Sequence, residues 1–294
     1  MDLTVWTLRR RPENTVDRWD GTTYRRVLPL PTGTVEVAVT QLGPPGSPQL
    51  RIVVNGQPSR TSVKAAVTAA LERLLGLRVD LSEFYRLAAR EESLGKLAAR
   101  FQGMRPPRYP TVFESAVVGI ASQQVSRTVS ILVLNQLTAR YGPPFHLGKA
   151  ITHAFPRAED LAGLRPSELR SLGFSRQKEH AITELAQSVA GGTLDLEGLA
   201  RLPDEEAIKR LCSLHGVGRW TAGYVLLRGL GRIRIFPGDD GGARNNLKRW
   251  LHLEQPPDFE TVRRTLEYWH PYAGLVYFHM LLDRLEEAGF LPAG

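Results

Sequence analysis

The stretch from Leu211 to Leu251, LCSLHGVGRWTAGYVLLRGLGRIRIFPGDDGGARNNLKRWL, constrains this chain more than any other. It reads as a helix, a tight turn, a second helix, a short extended run and a carboxylate pair opening a third helix. The turn is Leu214-His215-Gly216-Val217-Gly218. Glycines flanking an apolar residue permit the positive φ that so short a connection needs, and Val217 can fold back between the helices to set their angle. The second helix then begins with N–H groups that have no intrahelical acceptor, which favours an anionic oxygen. Gly-x-Gly alone does not separate an anion clamp from a plain structural turn. Beyond it, Ile235-Phe236-Pro237-Gly238 is an extended approach to Asp239 and Asp240, ahead of a helical Asn245–Leu251. An aspartate there would cap a helix even in an inactive protein. Gly241 and Gly242 follow directly; they are poor helix formers, and close approach of another backbone is a reason to tolerate them.

Composition narrows the class. A length of 294 residues suits one large domain or two to three smaller ones, and 42% hydrophobic with 23% charged residues suits a globular chain with a real core. The formal charge of +8 points to a polyanionic partner or to a merely basic, solvated surface. Cys212 is the single cysteine, which excludes an intramolecular disulfide and any all-cysteine zinc or iron–sulfur centre. The histidines show neither a His-Glu-x-x-His pattern nor clustered Cys/His spacing, so no metal site is expected. The first residues hold no apolar core of signal-peptide length and no run approaches a membrane span, so a cytoplasmic protein without membrane contact is the expectation.

Along the chain, residues 1 to about 60 carry a β signal: Thr4–Leu8, Val27–Leu30, Thr34–Thr40 and Gln49–Val54, with a loop over residues 43–48. Arg9-Arg10-Arg11-Pro12 reads as a solvated strand end. Ser62–Leu77 has helical spacing with Ser62 as N-cap, and a helix covering strands makes a small α+β domain. From Leu81 the period is helical: Leu81–Leu87, Ser93–Phe101, Val112–Tyr141, Ser167–Leu172, Gln177–Ala190, Asp204–Leu214 and Thr261–Leu285. The polar notch Ser122-Gln123-Gln124-Val125-Ser126 divides the apolar run into two helices, with Ser126 capping the second. The expected domains are an N-terminal α+β unit over 1–88 and a helical region over 89–294. Within the latter, 112–230 forms a central subdomain with the hairpin, and 89–111 with 231–294 forms a second.

Four motifs in order resemble the helix–hairpin–helix DNA glycosylase superfamily, and within it the alkylation-repair branch of the 3-methyladenine DNA glycosylase II type. Leu214-His215-Gly216-Val217-Gly218-Arg219-Trp220-Thr221-Ala222 is similar to that branch's Leu-Pro-Gly-Ile-Gly-Arg-Trp-Thr-Ala, with His215 in place of proline. Ile120 to Ser126 resembles its Ile-x-Gly-Gln-x-Val-Ser, Leu172 to Lys178 its Leu-Gly-x-x-x-x-Lys, and Trp269-His270-Pro271-Tyr272 its Trp-x-Pro-Trp. The resemblance implies a mainly α fold with an N-terminal α+β domain and an active-site cleft between two helical subdomains. It further implies base excision repair: a monofunctional enzyme that flips alkylated purines out of duplex DNA and hydrolyses their glycosidic bond.

The roles follow from that resemblance. Asp240 is the catalytic carboxylate, since an ionised aspartate near C1′ stabilises the positive charge that develops on the sugar. Trp220, Tyr224 and Tyr272 are expected to hold the flipped base; Trp220 and Tyr224 share a helical face, and electron-rich rings attract a cationic alkylated base. Tyr224 is equally readable as core. Leu214, Gly216, Val217, Gly218, Arg219 and Thr221 are expected at the DNA backbone, with Gln124 as the wedge that fills the emptied stack and Gln123 beside it. Relatives that also cut the strand carry a lysine two positions after the second hairpin glycine; here that position is Trp220. No cofactor is expected beyond a monovalent cation on the hairpin carbonyls, and the partner is damaged duplex DNA bound by a monomer. An oxidised-base glycosylase and a non-catalytic hairpin DNA-binding protein are the rival readings.

Overall fold

The computed structural model describes residues 1–31, 33–43, 48–56, 61–238, 241–251 and 253–291, apart from the side chains of Pro166 and Phe259. Asp239 and Asp240, and the centre of the expected loop over 43–48, lie outside the described residues.

The chain opens with helix α1 (Asp2–Arg9) and an antiparallel four-stranded sheet in the order β1 (Arg18–Trp19), β2 (Thr23–Leu30), β3 (Gly33–Leu42) and β4 (Gln49–Asn55). Register runs from Thr23↔Thr40 to Leu30↔Gly33 and from Glu36↔Asn55 to Leu42↔Gln49. Alternation along β3 sends Val35, Val37 and Val39 into the core, each fully buried. Helix α2 (Thr61–Leu74) turns Val63, Val67, Leu71 and Leu74 inward. It starts one residue before Ser62, so Ser62 is not its cap.

Residues 4–8 do not form the expected strand. β-branched content favours a strand only where a sheet neighbour exists. Here Val5 and Leu8 instead enter the core from a helix, and Trp6 stacks on Phe290 with ring centroids 5.7 Å apart. The arginine run is likewise not solvated. Arg9 and Arg10 are buried; Arg9 donates to the carbonyls of Trp19 (3.0 Å) and Pro12 (2.5 Å).

The helical part continues through α3 (Ser82–Ala88), α4 (Glu92–Arg100), α5 (Val112–Ala121) and α6 (Arg127–Tyr141). The notch divides α5 from α6 as its composition predicts, and the Ser126 side chain accepts from the Val129 N–H. A small hairpin of β5 (Pro144–Leu147) and β6 (Ala150–His153), unforeseen in the sequence, precedes α7 (Ala158–Leu161), α8 (Pro166–Ser171) and α9 (Arg176–Ala190). A 3-10 turn over Glu197–Arg201 leads to α10 (Asp204–Cys212), α11 (Arg219–Arg228), α12 (Gly241–Trp250), α13 (Phe259–Glu267) and α14 (Ala273–Glu287). The expected helix over Thr261–Leu285 is therefore two, separated by Tyr268–Tyr272.

Two large cores organise these elements. The first joins the sheet and α2 to α5, α6, α9 and the hairpin helices. The second joins α3 and α4 to α12, α13 and α14. Leu81, Phe84 and Ala88 belong to the second core, so α3, which precedes the sequence boundary at 88, packs with the C-terminal helices. Among the described residues no helix is long and apolar enough to cross a membrane.

Candidate nucleic-acid interface and active site

The hairpin between α10 and α11 is built by its glycines for different reasons. Gly216 has φ 71°, and a Cβ there would lie 2.6 Å from the Ala181 Cβ on α9; neither the conformation nor the space admits a side chain. Among the described residues, a Cβ on Gly218 would meet nothing within 4 Å, and no side chain caps α11 there. Its bare surface lets an outside backbone approach the first-turn N–H groups of α11. Val217 is 6% exposed and belongs to the first core, and its N–H donates to the Leu214 carbonyl at 3.2 Å. Its side chain packs inside and fixes the hairpin, so it is not the exposed side-chain contact that a place among the expected DNA contacts suggests. Leu214 is half-buried; Gly218 and Arg219 are exposed.

The α5–α6 turn is bolted to this hairpin. The Gln123 Nε2 donates to the Gly216 carbonyl (2.8 Å) and to the Thr221 Oγ1 (2.9 Å). Thr221 is 1% exposed, so its hydroxyl holds Gln123 and does not face solvent. Gln123 is thereby a strut, with its amide donors committed inside the protein. Lys178 completes the joint: its Nζ donates to the carbonyls of Ala121 (2.9 Å) and Gln123 (2.6 Å), closing the C-terminal end of α5. A cation on those carbonyls is the favourable sign for a helix C-terminus. Burial pulls the Lys178 ammonium below its ordinary range. The Leu172–Lys178 motif is visible in the sequence, but this role of Lys178 is not, because the carbonyls it serves lie far away in the chain.

What this scaffold presents is Gln124. It is exposed and has φ 53°, a conformation that costs a non-glycine residue on the order of 1–2 kcal/mol and is held only where its surroundings impose it. The anchored carbonyl of Gln123 on one side and the Ser126 cap on the other impose it here.

Of the three expected base-pocket rings, two meet. Trp220 and Tyr224 lie with centroids 5.7 Å apart at 30°. Trp220 is half-buried, but Tyr224 is 1% exposed and its hydroxyl shares a 2.8 Å hydrogen bond with that of Tyr109. Tyr224 is therefore core that backs the indole, not a pocket wall. Around the phenols sit two buried guanidiniums. Arg10 donates to the Tyr277 hydroxyl at 3.1 Å, and Arg228 lies 5.2 Å from the rings of both Tyr109 and Phe278. Among the described residues Arg228 has no hydrogen-bond acceptor, so ring faces supply its stabilisation. Tyr272 stands apart, half-buried ahead of α14 and edge-on to Phe84 at 6.0 Å. Trp269, its motif neighbour, is buried in the second core; its Nε1 donates to Glu91 at 3.0 Å and its ring lies 5.0 Å from that of Trp250.

The approach to the aspartate pair runs along the seam of the two cores. Ile235 packs on the first, and Ile233 and Phe236 on the second. Glycines make room on both sides. A Cβ on Gly274 would lie 2.6 Å from the Ile233 carbonyl oxygen and 2.7 Å from that of Ile235, while the Gly274 N–H donates to Ile233 at 2.7 Å. On α11, Gly223 faces Pro237 and Ile235 at just under 4 Å. The Arg232 guanidinium secures the start of the run to the carbonyls of Leu199 (2.8 Å) and Leu202 (2.6 Å) and to Asp204 (2.5 Å). The run ends at Gly238, buried, immediately before Asp239 and Asp240; α12 resumes at Gly241.

A helix–hairpin–helix between two helical cores, joined to a preceding antiparallel sheet, defines the class of fold. The chain matches the HhH-GPD superfamily base excision DNA repair protein family over residues 117–271, more than half its length, and it belongs to that family. It is 27% identical to a DNA-3-methyladenine glycosylase of Bacillus subtilis, over 68% of this chain and 66% of that one. DNA-3-methyladenine glycosylase 2 of Escherichia coli is 29% identical, over 64% and 63% of the respective chains. A 3-methyladenine DNA glycosylase structure from Archaeoglobus fulgidus superposes with a TM-score of 0.83 at 30% identity, covering 97% of this chain and 95% of that one. The chain spans between about half and two thirds of the length of the curated relatives it matches first.

Proposed function

We propose that this protein is a monofunctional DNA glycosylase that extrudes an N-alkylated purine of the 3-methyladenine kind from duplex DNA and hydrolyses its glycosidic bond. The observation that carries the reading is Trp220. A half-buried indole leans on Tyr224 in the first turn of α11, at the position where strand-cutting relatives carry the nucleophilic amine. The names of the relatives from Bacillus subtilis, Escherichia coli and Archaeoglobus fulgidus point to the same substrate class.

In this reading the bare N-terminus of α11 takes a phosphate oxygen, the rigid α5–α6 turn inserts Gln124 where the base has left, and Trp220 receives the base. An alkylated purine is cationic, so an indole face attracts it by about 0.5–2 kcal/mol. The same charge makes it a good leaving group, and little acid catalysis of departure is needed. Asp240 then stabilises the oxocarbenium-like sugar and orients the water that attacks it. The Leu214 and Gly216 carbonyls each accept one hydrogen bond within the protein, and each keeps a lone pair that a monovalent cation would use. The working unit is a monomer on damaged nucleoid DNA.

Asp240→Asn decides between this and a non-catalytic hairpin protein. The variant should lose base release by at least a thousand-fold, on the order of 4 kcal/mol, while duplex binding persists. Undiminished excision would move the catalytic role elsewhere. Borohydride trapping on lesion DNA should yield no covalent adduct; an adduct would make the enzyme a lyase of the oxidised-base type.

A further inference from the structure

We propose that His180, Glu184 and His215 form a site for a divalent first-row transition ion, zinc in the first instance, on the outer face of the hairpin. One ligand atom from each residue lies within 4.8 Å of the others. The His180 and His215 rings meet edge to face with centroids 4.6 Å apart, and the His180 Nε2 is 3.7 Å from the Glu184 Oε2. All three side chains are exposed. Helical spacing pairs His180 with Glu184, but neither spacing nor the function proposed above accounts for the arrival of His215 beside them.

The residues come from two elements that are already fixed to each other. His180 and Glu184 stand one turn apart on α9, so they project on one face. His215 is carried by the turn whose next residue, Gly216, is so close to α9 that a Cβ would lie 2.6 Å from Ala181. Gln123 holds the same Gly216 carbonyl from the other side. The donors are thus presented by backbones that cannot drift apart.

Donor chemistry selects the ion. Two imidazoles and one carboxylate suit zinc and its neighbours over magnesium or calcium, which prefer oxygen. Tetrahedral zinc with bonds of about 2.0–2.1 Å spaces its donors roughly 3.3 Å apart. Closing the present separations to that value takes shifts of about 1.5 Å, within the reach of a rotamer change at exposed side chains. Three protein ligands leave one position open. His180 and His215 also line an open hollow with Arg170 and Arg176, so water or an anionic oxygen is the expected fourth ligand. Bound there, the ion cross-links α9 to the hairpin.

The test is titration of zinc chloride into chelator-treated full-length protein, followed by calorimetry in a buffer without phosphate. The expected result is one ion per chain at micromolar affinity or better. Binding should weaken at least ten-fold in His180→Ala, in His215→Ala and in Glu184→Gln, and should be unchanged in His146→Ala, which removes an exposed histidine on β5. Cobalt in place of zinc should give a tetrahedral visible absorption band that His215→Ala abolishes. Since the ligands are exposed, apo variants should melt at the wild-type temperature, which separates ligand loss from misfolding. No binding heat, or equal zinc affinity in wild type and His215→Ala, overturns the proposal.

Discussion

At the scale of single residues, the expected site divides into groups that face outward and groups that hold them. Gln124 is the outward group of its turn; Gln123, Thr221 and Lys178 are its fixings. If Gln124 fills the space of an extruded nucleotide, Gln124→Ala should weaken binding to a stable abasic analogue several-fold more than binding to undamaged duplex. Equal losses in a fluorescence anisotropy titration would assign it to general backbone contact. The outward turn was legible in the sequence as a polar notch between two apolar helices, and the family resemblance, not the notch, singled out Gln124 within it. Its fixings were not, since each is a side chain bonded to a backbone or hydroxyl group 55 to 98 positions away. Tyr224 is a similar case. Helical spacing put it on Trp220's face correctly, but only the hydrogen bond to Tyr109 shows that its ring is sealed in.

At the scale of elements, the run from Arg232 to Gly238 decides where the aspartate pair is delivered. It threads a seam whose width is set by Gly223 on α11 and Gly274 on α14. Adding a methyl group at Gly274 would force it against two carbonyl oxygens that cannot yield without moving the run. Gly274→Ala should cost about 1–3 kcal/mol of stability. It should also lower single-turnover base release ten-fold or more with little change in DNA affinity, because the hairpin lies on the other end of α11. A variant with wild-type excision would show that the run tolerates displacement.

At the scale of the whole molecule, the sheet and the helical body share one core and one buried charge cluster. Arg26 on β2 donates to Asp17 (2.6 Å) and to Glu114 on α5 (2.5 Å), and the Tyr24 hydroxyl donates to Asp17 at 2.7 Å. One guanidinium between two carboxylates leaves a surplus negative charge without water. Burial therefore pushes the Glu114 carboxyl from 4.5 up to about 7, against the pull of Arg26. Between those values the folded protein binds more protons than the unfolded chain, so this stabilisation is complete below about pH 4.5, declines as pH rises from there, and is fully lost once pH passes the folded value. The loss amounts to about 3 kcal/mol at most. The urea midpoint should accordingly fall between about pH 4.5 and pH 7 and level off above that, and Glu114→Gln should flatten that dependence. A flat wild-type profile would mean that the cluster stays ionised throughout.

The features that the sequence by itself determined are those whose cause is local. The Ser126 cap, the valine alternation of β3 and the glycines of the hairpin each act within a few residues, and each stands where the chain predicts it; helix period located most helices but not the break at Tyr268–Tyr272. The order of four motifs carried the family for the same reason. Tertiary structure decided whatever depends on a distant partner. Thr4–Leu8 became a helix because α14, not a strand, lies beside it. Arg9 and Arg10 were drawn inside by carbonyls and phenols that no composition reveals. His215, a departure from the family's proline and unremarkable in the linear chain, meets His180 only because Gly216 lets the hairpin rest on α9. Local signals survive without context because the backbone near them pays the entropy; convergent side chains exist only after the cores have packed.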